Sequence, residues 1–196
     1  MAGKQRRHKS EQKLNRDHGW RCKPGYQVVV LNRGAVRFDV PKSWVVSEVE
    51  DPGGAHFTMF DKPEPNDDLR FQVSVFNLNP EIDWSDVQLD TALAGALGGQ
   101  PDDHGRQTIS QTEPVLIRRP GLTIAWNETL FLDSNENREA FTRALLAHGS
   151  LVQTLITMDF WVDDAGRALP AWDELLRTLR LGQYVKDPLQ GPPVFH

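Results

Sequence analysis

The chain has 196 residues, 39% of them hydrophobic and 25% charged, which suits one ordinary globular domain and excludes two large ones. Its formal net charge of −5 hides an asymmetry. Residues 1–23 hold eight Lys or Arg against Glu11 and Asp17, giving +6, which leaves −11 for the remainder. One cysteine, Cys22, excludes an intrachain disulfide framework. No apolar run approaches the roughly 20 residues that cross a bilayer, and no apolar segment of secretory type follows the basic start. The sequence therefore reads as cytoplasmic.

Residues 1–23 are expected to form a basic, disordered tail, residues 24–184 a single domain and residues 185–196 an irregular C-terminal tail. Lys4, Arg6, Arg7, Lys9, Lys13 and Arg16 make the first segment a candidate anion-binding tail. No aromatic interleaves these residues before Trp20, and the body carries no basic stripe, which argues against nucleic acid as the partner.

"GYQVVVLNRGAVRFDVP" predicts a hairpin: strands Tyr26–Leu31 and Ala35–Val40 flank Asn32-Arg33-Gly34, whose glycine can take a positive φ. In the second strand Val36, Phe38 and Val40 share one face, Arg37 and Asp39 the other, and Pro41 ends the pairing. Trp44 is then placed to cover the edge of the core. "SWVVSEVE" is a weaker strand, closed by Asp51-Pro52-Gly53-Gly54. "AHFTMFD" is a short strand, and "KPEPNDD" a polar loop. "LRFQVSVFNL" alternates well, with Leu69, Phe71, Val73 and Val75 against Arg70, Gln72 and Ser74, while Phe76 and Leu78 break the pattern and suggest burial on both faces near the strand's end.

Residues 83–97 change the period. Asp83 is a suitable N-cap, Leu89, Leu93 and Leu97 recur every four residues with Val87 and Ala94 beside them, and Gly98-Gly99 ends the helix. Strands follow at Thr108–Thr112, Val115–Arg118 and Leu122–Leu132. Arg138–Ala147 has helical propensity but reads better as a strand of a long hairpin, turning at His148-Gly149 into Leu151–Trp161. The closing helix is predicted to start with Pro170 at its first helical position. It carries the stripe Trp172, Leu175, Leu176 and Leu179, with Arg177 and Arg180 near its end and Gly182 just beyond.

This order gives an α+β fold, an antiparallel β-sheet covered by helices. "VRFDVPKSW" (36–44), "ALLAHGSLVQTLITM" (144–158) and "WDELLRTLRLG" (172–182) resemble the opening strand, late hairpin and closing helix of the PsbP-like superfamily, over roughly residues 26–182. That group includes Ran-binding import factors, lumenal photosystem II extrinsic proteins, DcrB-like proteins and bacterial secretion-effector chaperones. The resemblance implies an α/β/α sandwich and a role in binding, assembly or chaperoning without an active site. Its motifs are packing motifs, so no functional residue carries over.

Tests for chemistry find no complete signature. His18 and Cys22, with His8, are too few for a zinc site. Asp133-Ser134-Asn135-Glu136-Asn137 starts like a calcium loop but lacks its glycine and closing glutamate. No nucleophile elbow or phosphate-binding glycine loop occurs. The acids Asp67-Asp68, Asp102-Asp103, Asp159 and Asp163-Asp164 sit in loops or strand ends. No metal, cofactor or catalytic residue is assigned. The reading is a non-catalytic adaptor or chaperone-like domain that binds a protein or peptide along a sheet face or strand edge. Two alternatives stand: a small hydrolase with a pocket in which two or more of Asn127, His148, Asp159 and Asp163 converge, or an anionic-surface binder acting through the basic tail.

Overall fold

The computed structural model describes residues 13–51, 54–63, 65–84, 86–98 and 105–192. In chain order the elements are β1 (Tyr26–Leu31), β2 (Val36–Pro41), β3 (Val45–Asp51), β4 (Gly54–Phe60), β5 (Leu69–Asn77), α1 (Leu89–Gly98), β6 (Arg106–Gln111), β7 (Val115–Arg119), β8 (Leu122–Asp133), β9 (Arg138–Gly149), β10 (Val152–Trp161), α2 (Ala165–Thr178) and β11 (Arg180–Leu181). Every strand pairing is antiparallel. Eight strands form the main sheet in the order β3-β4-β5-β10-β9-β8-β6, with β7 also paired to β8, and β1-β2-β11 form a separate small sheet.

The alternation seen in the sequence places the core. Val152, Thr154, Ile156, Met158 and Phe160 bury one face of β10, beside Leu69, Phe71, Val73 and Val75 of β5. The small sheet and α2 cover this face. Phe38 from β2 packs against Phe71 at 5.8 Å between ring centroids, and Trp172 from α2 meets Trp126 edge-on at 6.0 Å. The opposite face is covered in part by α1, whose Leu89 and Leu93 rest on Ala125, Ala144 and Leu146. Helices thus flank the main sheet on both faces, the expected α+β sandwich.

Arg138–Gly149 is a strand, as the hairpin reading required. Its turn falls later than expected, at Ser150-Leu151, both in the left-handed region with φ of 50° and 60°, while His148 and Gly149 still belong to β9. Helix α1 starts at Leu89 instead of near Asp83. The preceding residues are spent on turns: Asn79 accepts from the amides of Ile82 and, through Oδ1, Glu81, while Trp84 Nε1 donates to its carbonyl. Val87 and Ala94 are consequently exposed. Helix α2 starts five residues before Pro170, which lies inside it. Ala165-Gly166-Arg167-Ala168 continue the helix upstream, with Ala168 fully buried and Arg167 paired to Asp164 one turn earlier.

The described part of the basic segment is laced to the C-terminal end. Asn15 N donates to Leu189 O, Gly19 N to Gln190 O and Trp20 Nε1 to Pro188 O, and the buried Trp20 ring lies against Gly191. Lys4, Arg6, Arg7 and Lys9 lie outside the described residues, as do Asp102-Asp103.

The two-layer packing gives a contrast between neighbouring strands. Phe38→Ala should cost about 3–5 kcal/mol, because the ring is fully buried between the sheets. Phe76→Ser, at a residue 42% exposed near the end of β5, should stay within about 0.5 kcal/mol. Urea unfolding of both variants measures the difference.

Candidate functional site

Three features of the structure carry polar chemistry. The first surrounds the C-terminus of α2, where unpaired carbonyls need donors. Arg119 of β7 donates through Nη1 to Leu176 O (2.6 Å) and Arg177 O, Arg37 of β2 through Nη1 to Thr178 O (3.0 Å), and Arg180 through Nη1 to Leu179 O (2.7 Å). Thr178 Oγ1 donates to Glu174 O and accepts from Asp39 N (2.9 Å), so the helix end supplies an acceptor where β11 no longer reaches β2.

Asp39 sits beside this cap. The sequence put it on the side of β2 opposite the core, yet it is 1% exposed. Arg37 Nη2 lies 2.8 Å from Asp39 Oδ1, but the guanidinium directs its N–H bonds at the carbonyls of Thr178 and Arg21. Neither carboxylate oxygen of Asp39 receives an aligned hydrogen bond. Burial therefore pushes the Asp39 carboxyl up and the Arg37 guanidinium down, and their mutual attraction opposes both shifts. Glu174 is the reverse case. Its buried carboxylate accepts two bonds from Arg177 (2.5 and 2.9 Å) and meets Lys23 Nζ at 2.9 Å. These partners, Arg177 foremost, hold it down at about 2 against the cost of burial. Asp39 and Glu174 are thus two buried carboxyl groups beside one helix end, shifted in opposite directions.

The second feature is a hub at the N-terminal end of α2. Arg167 contacts Asp164 (2.6 Å), Asp61 (2.7 Å) and Asp68 (3.1 Å), and Lys62 pairs with Asp68. Asp61 Oδ1 also accepts the amides of Asp68 and Leu69, which fixes the β4–β5 loop. A shallow pocket of about 380 Å³ opens between this hub and Pro41, Ser43 and Trp44. Every acid of the hub is engaged by a cation, an arrangement that joins loops and leaves no carboxylate positioned as a general base.

The residues weighed for hydrolysis are dispersed. Asp159 accepts from Thr142 Oγ1 (2.5 Å) and Arg106 (3.2 Å), whereas Asp163 is exposed and meets Arg138. Asn127 is buried on β8 opposite Ala144. His148 pairs with Gln153, six residues from Asp159 along β10, which is about 20 Å. Asp67 turns to Arg70. His18 and Cys22 form no cluster, and among the described residues no group of three His, Cys, Asp or Glu is arranged to hold a metal. Of the tail candidates, Lys13 and Arg16 are described, and both are exposed.

The third feature is the edge formed by β6 and β7. Among the described residues each pairs only with β8, so its other side has no strand partner there for its backbone N–H and C=O groups. Ile109, at a register shift in β6, is 51% exposed, and Val115 and Leu116 of β7 are 46% and 39% exposed. Leu116 and Arg118 share the face of α1, while Val115, Ile117 and Arg119 share the face of α2. Pro114 and Pro120 bracket β7, limiting it to five residues, about 17 Å. The sequence located these strands, but nothing local in it marks them as an edge.

Comparison with known proteins gives a family and a fold. The Alr1449 family model matches residues 27–185. The chain is 41% identical over 179 residues to the uncharacterized protein alr1449 of Nostoc sp., covering 91% of this chain and 88% of that one. The solution structure of cyanobacterial PsbP (CyanoP) from Synechocystis sp. PCC 6803 matches with a TM-score of 0.53 at 12% identity, over 83% of this chain and 98% of that chain. A crystal structure from Bacteroides thetaiotaomicron matches with a TM-score of 0.50 at 14% identity, over 80% of this chain and 48% of that one. The fold is PsbP-like, and the resemblance read from residues 36–44, 144–158 and 172–182 holds at that level.

Glu174 makes the acid response testable. Its folded pKa of about 2 lies below the ordinary glutamate value of 4.5, so its contribution is present above pH 4.5 and is lost as pH falls through 2. Asp39, shifted the other way, opposes this by binding its proton more tightly in the folded state. Because Arg177 and Lys23 are largely solvated, we expect Glu174→Gln to cost about 1–2 kcal/mol at pH 7. The wild-type advantage should shrink toward zero by pH 2, as read by urea unfolding across pH.

Proposed function

The chain belongs to the Alr1449 family, and from that premise we propose that it is a non-catalytic, cytoplasmic adaptor or chaperone-like domain that holds an extended segment of another protein along β7. The observation that carries this reading is the open β6–β7 edge, with Val115 and Leu116 exposed beside unpaired backbone groups. Main-chain hydrogen bonds to such an edge supply affinity without regard to sequence, and alternate side chains supply selectivity.

The side chains of β7 specify the occupant. Leu116 offers an apolar contact and Arg118, two residues on and on the same face, an exposed cation. A complementary segment presents an apolar residue and an acidic residue at alternate positions. The basic residues Lys4, Arg6, Arg7, Lys9, Lys13 and Arg16 would steer such an acidic partner toward the body. Cytoplasmic placement is supported by Cys22, a free and exposed thiol of the kind a reducing compartment preserves.

A photo-crosslinking residue at position 116, expressed in the native host, tests this directly, with the exposed helix position 173 as control. The expected result is a polypeptide adduct at 116 that is absent at 173 and reduced at least tenfold when Val115→Lys is added, with folding stability changed by less than about 1 kcal/mol. Equal labelling at the two positions contradicts the reading, and an adduct confined to a second copy of this chain replaces it with self-association.

A further inference from the structure

A strained corner of the molecule lies away from the β6–β7 edge. Among the described residues, four of the five non-glycine residues with positive φ are Asn32, Arg33, Ser150 and Leu151, all in the β1–β2 and β9–β10 turns. Asparagine tolerates this region, but arginine at φ 56°, ψ 30° does not favour it. Strain of this kind persists where the surroundings impose it. Here Gly182 N donates to Ala35 O, and a Cβ at Gly34, which has φ 99°, would collide with the carbonyl of Gln183. A Cβ at Gly182 would likewise strike Ser150. The segment 181–185 is thus wedged between the two turns.

A pocket of about 420 Å³ opens on this wedge, lined by Asn32, Arg33, Asn77, Tyr184 and Val185. Tyr184 is 58% exposed, and its hydroxyl lies 3.4 Å from Asn77 Oδ1. Among the described residues Arg33 has no ion pair and no hydrogen bond, whereas Arg37, Arg70, Arg106, Arg138, Arg143, Arg167 and Arg177 each meet a carboxylate. The lining contains no acid, and exposed Lys186 follows directly. A guanidinium and two carboxamides therefore supply donors beside a phenol ring and a valine.

We propose that this pocket binds an oxyanion, carboxylate or phosphate, attached to a small apolar or aromatic group. The planar guanidinium fork matches either oxyanion with paired hydrogen bonds. The Tyr184 ring and Val185 receive the apolar part, and the volume suits a small organic ligand. The backbone strain at Arg33 is then the cost of holding a free cation at the mouth of this open pocket. This site involves no residue of β6 or β7, so it stands or falls independently of the docking edge.

The test uses the full ¹⁵N-labelled chain titrated with benzoate, phenyl phosphate and inorganic phosphate, with benzamide as the neutral isostere. Saturable shifts of the Asn32 and Asn77 side-chain amides and of Arg33 Nε–H are expected with benzoate or phenyl phosphate, weakened at least tenfold in Arg33→Gln. Relative affinity for the two organic probes identifies the preferred oxyanion, and inorganic phosphate measures the contribution of the apolar part. Arg33→Asn, which relieves the strain while removing the cation, should raise Tm by about 2 °C and abolish binding. Equal shifts with benzamide, undiminished binding in Arg33→Gln, or a lowered Tm in Arg33→Asn overturns the proposal.

Discussion

The fold depends on how the C-terminal end of α2 is satisfied. A helix of 14 residues carrying Ala168, Trp172 and Leu175 at 0% exposure is buried deeply enough that its last carbonyls need donors from the protein. Arg37, Arg119 and Arg180 provide them, from β2, β7 and the helix's own continuation. Two of these bonds join the helix end to distant parts of the chain, Arg37 to the small sheet and Arg119 to the edge strand of the main sheet, while Arg180 closes on its neighbour Leu179 as the chain enters β11. Positive charge at this terminus also suits the helix dipole.

The proposed docking role would rest on that pinning. A five-residue edge strand bounded by prolines would be a poor template if it moved freely, because ordering it would cost conformational entropy on binding. Arg119 fixes β7 to α2 on one face and leaves Leu116 and Arg118 available on the other. The charged clusters have different work. The Arg167 hub locks the β4–β5 loop to the start of α2, and the Glu174 pairs tie Lys23 to its middle. Their carboxylates are engaged by cations, which is the pattern of structural ion pairs.

Much of the fold was legible because it is written in short-range alternation. The β1–β2 hairpin, the burial of most of β5 and the alternation of β10 follow from period-two patterns that a one-residue slip would destroy. Helix starts were less legible. Pro170 suits a first turn, but the buried Ala168 and the pairing of Arg167 with Asp61 and Asp68, about a hundred residues away, extend the helix upstream of it. Asp39 shows the same limit. On β2 it alternates as a solvent-facing residue, and only Thr178, 139 residues on, together with Arg21 and Glu174, turns that side into an interior. The β6–β7 edge was hidden for a related reason, since whether a strand is central or terminal depends on pairing across the whole sheet. The basic tail was plain in composition, and its described end proved to be bonded to residues 188–190 by contacts no local pattern encodes.

Residue-resolved amide hydrogen exchange on the free protein tests the central claim most directly. If β7 is a fixed strand with one side paired to β8 and the other open, the amides of residues 115–119 should alternate, those directed at β8 exchanging slowly and those directed outward exchanging at near-solvent rates. Uniformly slow exchange along β7 would mean the edge is already covered, and uniformly fast exchange would mean it is not held in place. Either result contradicts a preformed docking edge.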